Sequence, residues 1–198
     1  MTNDAFNTFA TLGTAVFDTS SRIPGDKFSY ALNQSLPEDI VIRKSEEVAN
    51  DFHPRKVDSR KTYRYSIWHD RFPMPTNSRY TYWVYTALDT DAMRKAAGYF
   101  AGEHDFAAFC SAAADVESTV RTIYDMKVEC PDEHRIDIFV TGGGFLYNMV
   151  RIIAGTLIEV GEGKISPDVI PDIINSRDRS KAGKTAPAKG LTLIGYSQ

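Results

Sequence analysis

Cysteine is scarce, with two in 198 residues, and that excludes a disulfide-stapled scaffold. Cys110 and Cys130 form no C-x-x-C pair, so no structural zinc site is expected and both read as reduced, buried or half-buried thiols. The histidines are few as well. His53, His69, His104 and His134 show no metal-ligand spacing such as H-E-x-x-H. His104, beside Asp105, reads as a capping or surface residue. No apolar run approaches the roughly 18 residues of a membrane helix. The segment Met1 to Ala10 lacks the basic n-region and apolar core of a secretory signal. A soluble, cytoplasmic protein is the expectation.

Positive charge is also short, the net charge being −3. This argues mildly against a nucleic-acid binder, because phosphate contacts need Lys and Arg. The basic residues are clustered, however. Arg55, Lys56, Arg60, Lys61 and Arg64 form one group, and Arg177, Arg179, Lys181, Lys184 and Lys189 another. Acidic residues gather elsewhere, at Glu46, Glu47, Asp89 and Asp91. The pattern fits either an electrostatically two-faced molecule or two ordinary solvated faces.

What is present is a packed globular composition, 42% hydrophobic and 25% charged. The periodicity predicts a short strand at Thr14–Phe17, a helix opening at Ile23-Pro24 and closing near Leu36-Pro37, and a strand over Asp39–Val48. A polar crossover with Pro54 follows. Lys61–His69 alternates strongly as a strand, and Tyr80–Tyr85 is a second. Thr90 is the expected N-cap of a helix through Met93, Ala96, Ala97 and Phe100, stopped by Gly102. Val120–Cys130 and Arg135–Thr141 read as a hairpin. A long helix is expected from about Phe145 to Val160, then a short helix at Asp168–Asn175 and a strand at Leu191–Tyr196. Antiparallel strands with helices on one face make an α+β fold.

Three segments bear chemistry. In Arg60-Lys61-Thr62-Tyr63-Arg64-Tyr65, aromatic and basic residues interleave along a strand, with Lys61, Tyr63 and Tyr65 on one face. A nucleobase needs a flat platform and its phosphate a cation, and such a strand supplies both. The same pattern also suits a core strand with its charges outside. Gly142-Gly143-Gly144 before a helix permits a tight turn near an anion-binding helix start. It is no nucleotide loop, since the GK[ST] ending is absent; Gly183-Lys184-Thr185 has that ending, but Asp178 occupies the place of its first glycine. Arg151 sits among Met149, Val150, Ile152, Ile153 and Leu157. A guanidinium there either snorkels to water or pairs with a buried anion. Aimed at a carboxylate, it would keep that group ionised, as a nucleophilic Asp requires.

Read together, Leu36-Pro37-Glu38-Asp39-Ile40, Asp51-Phe52-His53-Pro54-Arg55, Lys61-Thr62-Tyr63-Arg64-Tyr65, Val120-Arg121-Thr122-Ile123, Phe145-Leu146-Tyr147-Asn148-Met149-Val150-Arg151 and Pro187-Ala188-Lys189-Gly190-Leu191 resemble the ordered motifs of the tRNA pseudouridine synthase A family. The resemblance runs from about Thr14 to the C-terminus. It implies two ferredoxin-like halves joined around a basic cleft, here the remainder of the first half over 1–56 and the second over 57–198. It implies a homodimer that needs no cofactor or metal. The enzyme would flip a uridine out of the tRNA anticodon stem-loop, cut its glycosidic bond and rejoin the base through carbon. Tyr63 matches the tyrosine that packs on the target base, Arg151 the arginine paired with the catalytic aspartate, and Leu191 an apolar residue lining the pocket. Arg55, Lys61 and Arg64 are the expected RNA contacts.

One departure stands out. The family carries its nucleophile in R-T-D-A-G-V-H, just before the strand ending here at Phe17. Counting back without gaps puts Ala5 at the aspartate, whereas one inserted residue puts Asp4-Ala5 on D-A. Phe6-Asn7-Thr8-Phe9 does not continue the motif. Asp4 is the candidate nucleophile. The competing reading makes Met1–Leu12 unrelated sequence and the chain an RNA-binding remnant without the nucleophile.

Overall fold

In the computed structural model, which describes residues 9–10, 13–52, 59–111 and 116–197, the alternating segment around Tyr63 becomes strand β2 (Arg60–His69). It is the axis of a seven-stranded sheet. The other strands are β1 (Phe9–Ala10), β3 (Tyr82–Val84), β4 (Gly102–Asp105), β5 (Val120–Asp132), β6 (Arg135–Gly142) and β7 (Leu191–Ser197), in the order β1-β7-β2-β6-β5-β4. One edge of β2 carries β6 antiparallel along nearly its whole length. The other edge is shared, with β7 antiparallel over Arg60–Tyr65 and β3 parallel over Ile67–His69. The β5–β6 hairpin and β4 extend the antiparallel side. The described residues divide into two compact units, 14–57 and the remainder.

In the sheet-bearing unit, helices α2 (Thr90–Gly98), α3 (Met149–Gly161) and α4 (Ile170–Ser176) supply the apolar layer. Tyr65, Ile67, Ile138 and Val140 from the sheet join Phe100, Phe106, Phe109, Met149, Ile153 and Leu157 in one core. Within α3 only Arg151 and Glu159 escape full burial, as expected of a helix that is apolar almost all round.

The start of α2 lies one residue earlier than its expected cap. Asp89, not Thr90, is the N-cap, because its carboxylate accepts from both Asp91 N and Ala92 N, at 3.0 and 2.9 Å. Helix α3 begins four residues later than expected, at Met149, because Asn148 takes a left-handed conformation (φ 61°, ψ 6°) that no helix turn can contain. The stretch before it turns inward instead, burying Leu146. Cys110 is buried and Cys130 exposed, both reduced; the exposed thiol corrects the expectation that both would be covered. Strand β1, two residues parallel to β7, had no signal in the sequence pattern.

In the unit 14–57, a turn at Gly25–Lys27 leads into α1 (Phe28–Asn33), where a helix was expected. The strands expected at Thr14–Phe17 and Asp39–Val48 do not form. No neighbouring strand among the described residues gives either one a ladder, and Ile40 and Val41 stay exposed. Side-chain hydrogen bonds tie α1 to the extended chain instead. The Asn33 amide donates to Ile42 O (2.9 Å) and accepts from Ile42 N (2.8 Å), and Ser45 Oγ accepts from Ser29 N. A side-chain amide thereby does for one residue what a partner strand does for several.

Candidate active site

Strand alternation sends Tyr63, Tyr65 and Ile67 to the helix-bearing face of β2 and Thr62, Arg64 and Ser66 to the other. Tyr65 is fully buried, and its hydroxyl donates to Pro187 O at 2.8 Å. Tyr63 is only half buried. Its ring meets Phe145 edge to face, 5.2 Å between centroids and 89° between planes, and its hydroxyl has no hydrogen-bond partner among the described residues. Beside it lies a β-bulge. Thr62 faces Gly195 and Tyr63 faces Leu193, which leaves Ile194 as the extra residue on β7. Bulges of this kind bend a strand and re-aim its side chains. Leu191 is opposite Tyr65 in register and buried.

Burial pushes the Tyr63 phenol above its ordinary value. Burial pushes Tyr65 further up; the nearby Tyr82 adds to this and the Arg151 guanidinium opposes it. Both phenols are therefore neutral at physiological pH.

Arg151 neither snorkels freely nor meets an anion among the described residues. Its Nε donates to Ala186 O at 2.7 Å and its Nη1 to Asn148 Oδ1 at 3.0 Å, leaving Nη2 without a hydrogen-bond partner among the described residues. The main chain closes the loop, because Ala186 N donates to Arg151 O at 3.1 Å.

Ala186 is held by a buckle of backbone running from Asp178 to Gly190. Arg179 gathers Ala182 O, Gly183 O and Thr185 Oγ1. Gly183 N donates to Thr156 Oγ1 at 2.9 Å. Helix and buckle touch backbone to backbone, since a Cβ on Gly155 would lie 1.7 Å from Lys184 O. A Cβ on Gly190 would lie 2.7 Å from the Tyr65 ring. The buckle thus presses on α3 and β2 together. Tyr63 and Arg151 are linked through it: Tyr65, next to Tyr63 on the strand face, bonds to Pro187, and Arg151 bonds to Ala186.

The remaining expected residues are distributed differently. Lys61 shares the face of Tyr63 by alternation and is half exposed. Arg64 points to the opposite face, between Phe139 and Thr192 in register, and its Nε is buried without a partner among the described residues. Asp4 and Arg55 lie outside the described residues. In the second basic group Arg177 pairs with Asp105 at 2.9 Å and Arg179 is occupied by the buckle, so those two charges are structural. Gly142 and Gly143 serve close packing: a Cβ on Gly142 would lie 2.8 Å from Thr122 O, and one on Gly143 2.9 Å from Tyr124 Oη. Arg60 covers the Tyr124 ring at 4.7 Å. Among the described residues no cluster of His, Cys, Asp and Glu could hold a metal.

Sequence reasoning gave no role to Phe145, Asn148 or Ser111, whose Oγ accepts from Asn148 Nδ2 at 3.0 Å. For Asn148 a signal existed, since asparagine tolerates the left-handed region before a helix. For Ser111, 37 residues away in sequence, none did.

The arrangement offers a half-buried aromatic ring, an apolar strand beside it, and a guanidinium held at two nitrogens whose third has no hydrogen-bond partner among the described residues. The family model described as tRNA pseudouridine synthase matches residues 96–196. The tRNA pseudouridine synthase A of Acetivibrio thermocellus is 53% identical over 180 residues, covering 91% of this chain and 73% of the relative. That of Ruminiclostridium cellulolyticum is 54% identical over 180 residues, covering 91% and 74%. That of Brevibacillus brevis is 51% identical over 179 residues, covering 89% and 72%.

Proposed function

The chain belongs to the tRNA pseudouridine synthase family and isomerises uridine to pseudouridine in tRNA, and from that premise we propose that its target lies in the anticodon stem-loop and its chemistry at Tyr63 and Arg151. The reaction is an isomerisation. The bond from C1′ to N1 breaks, a bond from C1′ to C5 forms, the C5 proton leaves, and N1 takes up a proton. No net oxidation occurs, so no redox partner is required.

The target base must leave its stack, and the half-buried Tyr63 ring, propped edge-on by Phe145, is the surface against which the flipped uracil packs. Leu191 forms the floor of the pocket. Nη2 of Arg151 holds the nucleophilic carboxylate, for which Asp4 is the candidate. A charge-assisted bond there keeps the carboxylate ionised at neutral pH. Lys61 contacts phosphates near the flipped base, and Arg55 is a further candidate RNA contact. Arg64, on the far face of β2, would meet a different stretch of RNA. The protein works as a cytoplasmic homodimer and uses no cofactor. The observation that carries this reading is the buckle, which ties the strand of Tyr63 to the helix of Arg151.

The test is release of tritium from unmodified tRNA labelled at uracil C5. The wild-type chain is expected to release it, and Asp4→Ala to bind tRNA without release. Release that survives Asp4→Ala assigns the nucleophile elsewhere. Tight binding by the wild-type chain with no release would make it an RNA-binding remnant.

A further inference from the structure

We propose that Asn148 is a positioning residue that fixes the guanidinium plane of Arg151 and is itself oriented by Ser111. The inference rests on the reading of Arg151 given above. Arginine carries donors only, so the oxygen of the Asn148 amide must face Nη1 and its nitrogen must face away. The nitrogen then meets Ser111 Oγ, at 3.0 Å. The Ser111 main chain is tied to the same turn, because Ser111 N donates to Tyr147 O at 3.2 Å. The chain of contacts is Ser111 to Asn148 to Arg151, and Ala186 O closes it from the other side.

The backbone supports the same role. Asn148 is held at φ 61°, one of two non-glycine residues at positive φ among the described residues. Ordinary side chains adopt this region only at a cost. With φ positive, the amide sits three residues before the arginine, within reach of Nη1 but outside the helix ladder. Anchored at Nε and Nη1, the guanidinium cannot rotate, and Nη2 is aimed in one direction only. A carboxylate approaching it meets a donor already oriented, which is how a charged pair acts without reorganising during the reaction.

The experiment uses Asn148→Gly, which keeps the left-handed backbone and removes the amide. In a nitrogen-15 spectrum of arginine side chains, the Arg151 Nε–H signal is identified by its absence in Arg151→Ala. Its exchange with solvent should quicken about tenfold in Asn148→Gly, while the backbone amide pattern is retained. In the tritium assay kcat should fall about tenfold with KM within about twofold. In an Arg151→Ala background Asn148→Gly should lower kcat no further. Ser111→Ala should move both readouts in the same direction by less, and it serves if Asn148→Gly folds poorly. Unchanged Arg151 exchange in both variants overturns the proposal, as does an equal loss of kcat with and without Arg151. Undiminished kcat in Arg151→Ala would instead overturn the role given to Arg151, and the exchange measurement, which needs no turnover, would still decide the positioning.

Discussion

Tyr63 and Tyr65 stand two residues apart on one strand face, yet one is spent and the other available. Tyr65 is buried, with its hydroxyl committed to Pro187; Tyr63 is half-buried, and its hydroxyl has no partner among the described residues. The sequence pattern placed both rings on one face, but it could not rank them, because rank depends on what the distant 186–190 segment covers. Tyr63→Phe keeps the contact with Phe145 and removes only the hydroxyl. Its melting temperature should match wild type, while kcat for tritium release should drop by at least about tenfold. Full kcat would mean that the hydroxyl takes no part. Arg151 shows the opposite limit of legibility. Its apolar helix neighbours raised the choice between water and a buried anion, and the structure supplies a main-chain carbonyl and a neutral amide instead. The carbonyl carries no sequence signature, and the amide is marked only by an asparagine at the helix start.

At the level of elements, the legible parts were those whose pattern is satisfied locally. Strand β2, the β5–β6 hairpin and the body of α3 were all readable from periodicity, since each shows an apolar face to one core. The strands expected in 14–57 failed because a strand is a relation between two segments and periodicity describes one. The buckle from Asp178 to Gly190 had no periodicity at all, yet it decides where Arg151, Tyr65 and Leu191 meet. Its contact with α3 is tight enough that Gly155→Ala forces the helix and Lys184 apart. Overpacking of this kind costs about 1–3 kcal/mol, or several degrees of melting temperature at about 2–4 °C per kcal/mol. Because Ala186 moves with Lys184, activity should fall more than stability alone accounts for at assay temperature. A variant as stable as wild type would show that the contact yields freely.

For the whole molecule, acid should be a revealing stress. Asp105 terminates β4 and accepts from Thr119 Oγ1 and Ala107 N, and it pairs with Arg177. The Thr119 hydroxyl, the Ala107 amide and the Arg177 charge outweigh burial and hold its carboxyl below the ordinary value. A carboxyl more acidic when folded takes up its proton more readily when the chain is unfolded. Its stabilisation is therefore complete above about pH 4, the unfolded value, and drains as pH falls through the folded one. Asp105→Asn should lower the melting temperature at pH 7, and the gap to wild type should shrink as pH falls from the unfolded value through the lowered folded one. A gap that stays constant across that range would place the effect elsewhere. The bond from Tyr65 to Pro187 spans 122 positions of sequence, whereas β5 and β6 are joined by a tight turn. Closing so long a loop has a large entropic cost, so in refolding the hairpin can assemble early, while the pocket must wait until distant parts of the chain have found one another.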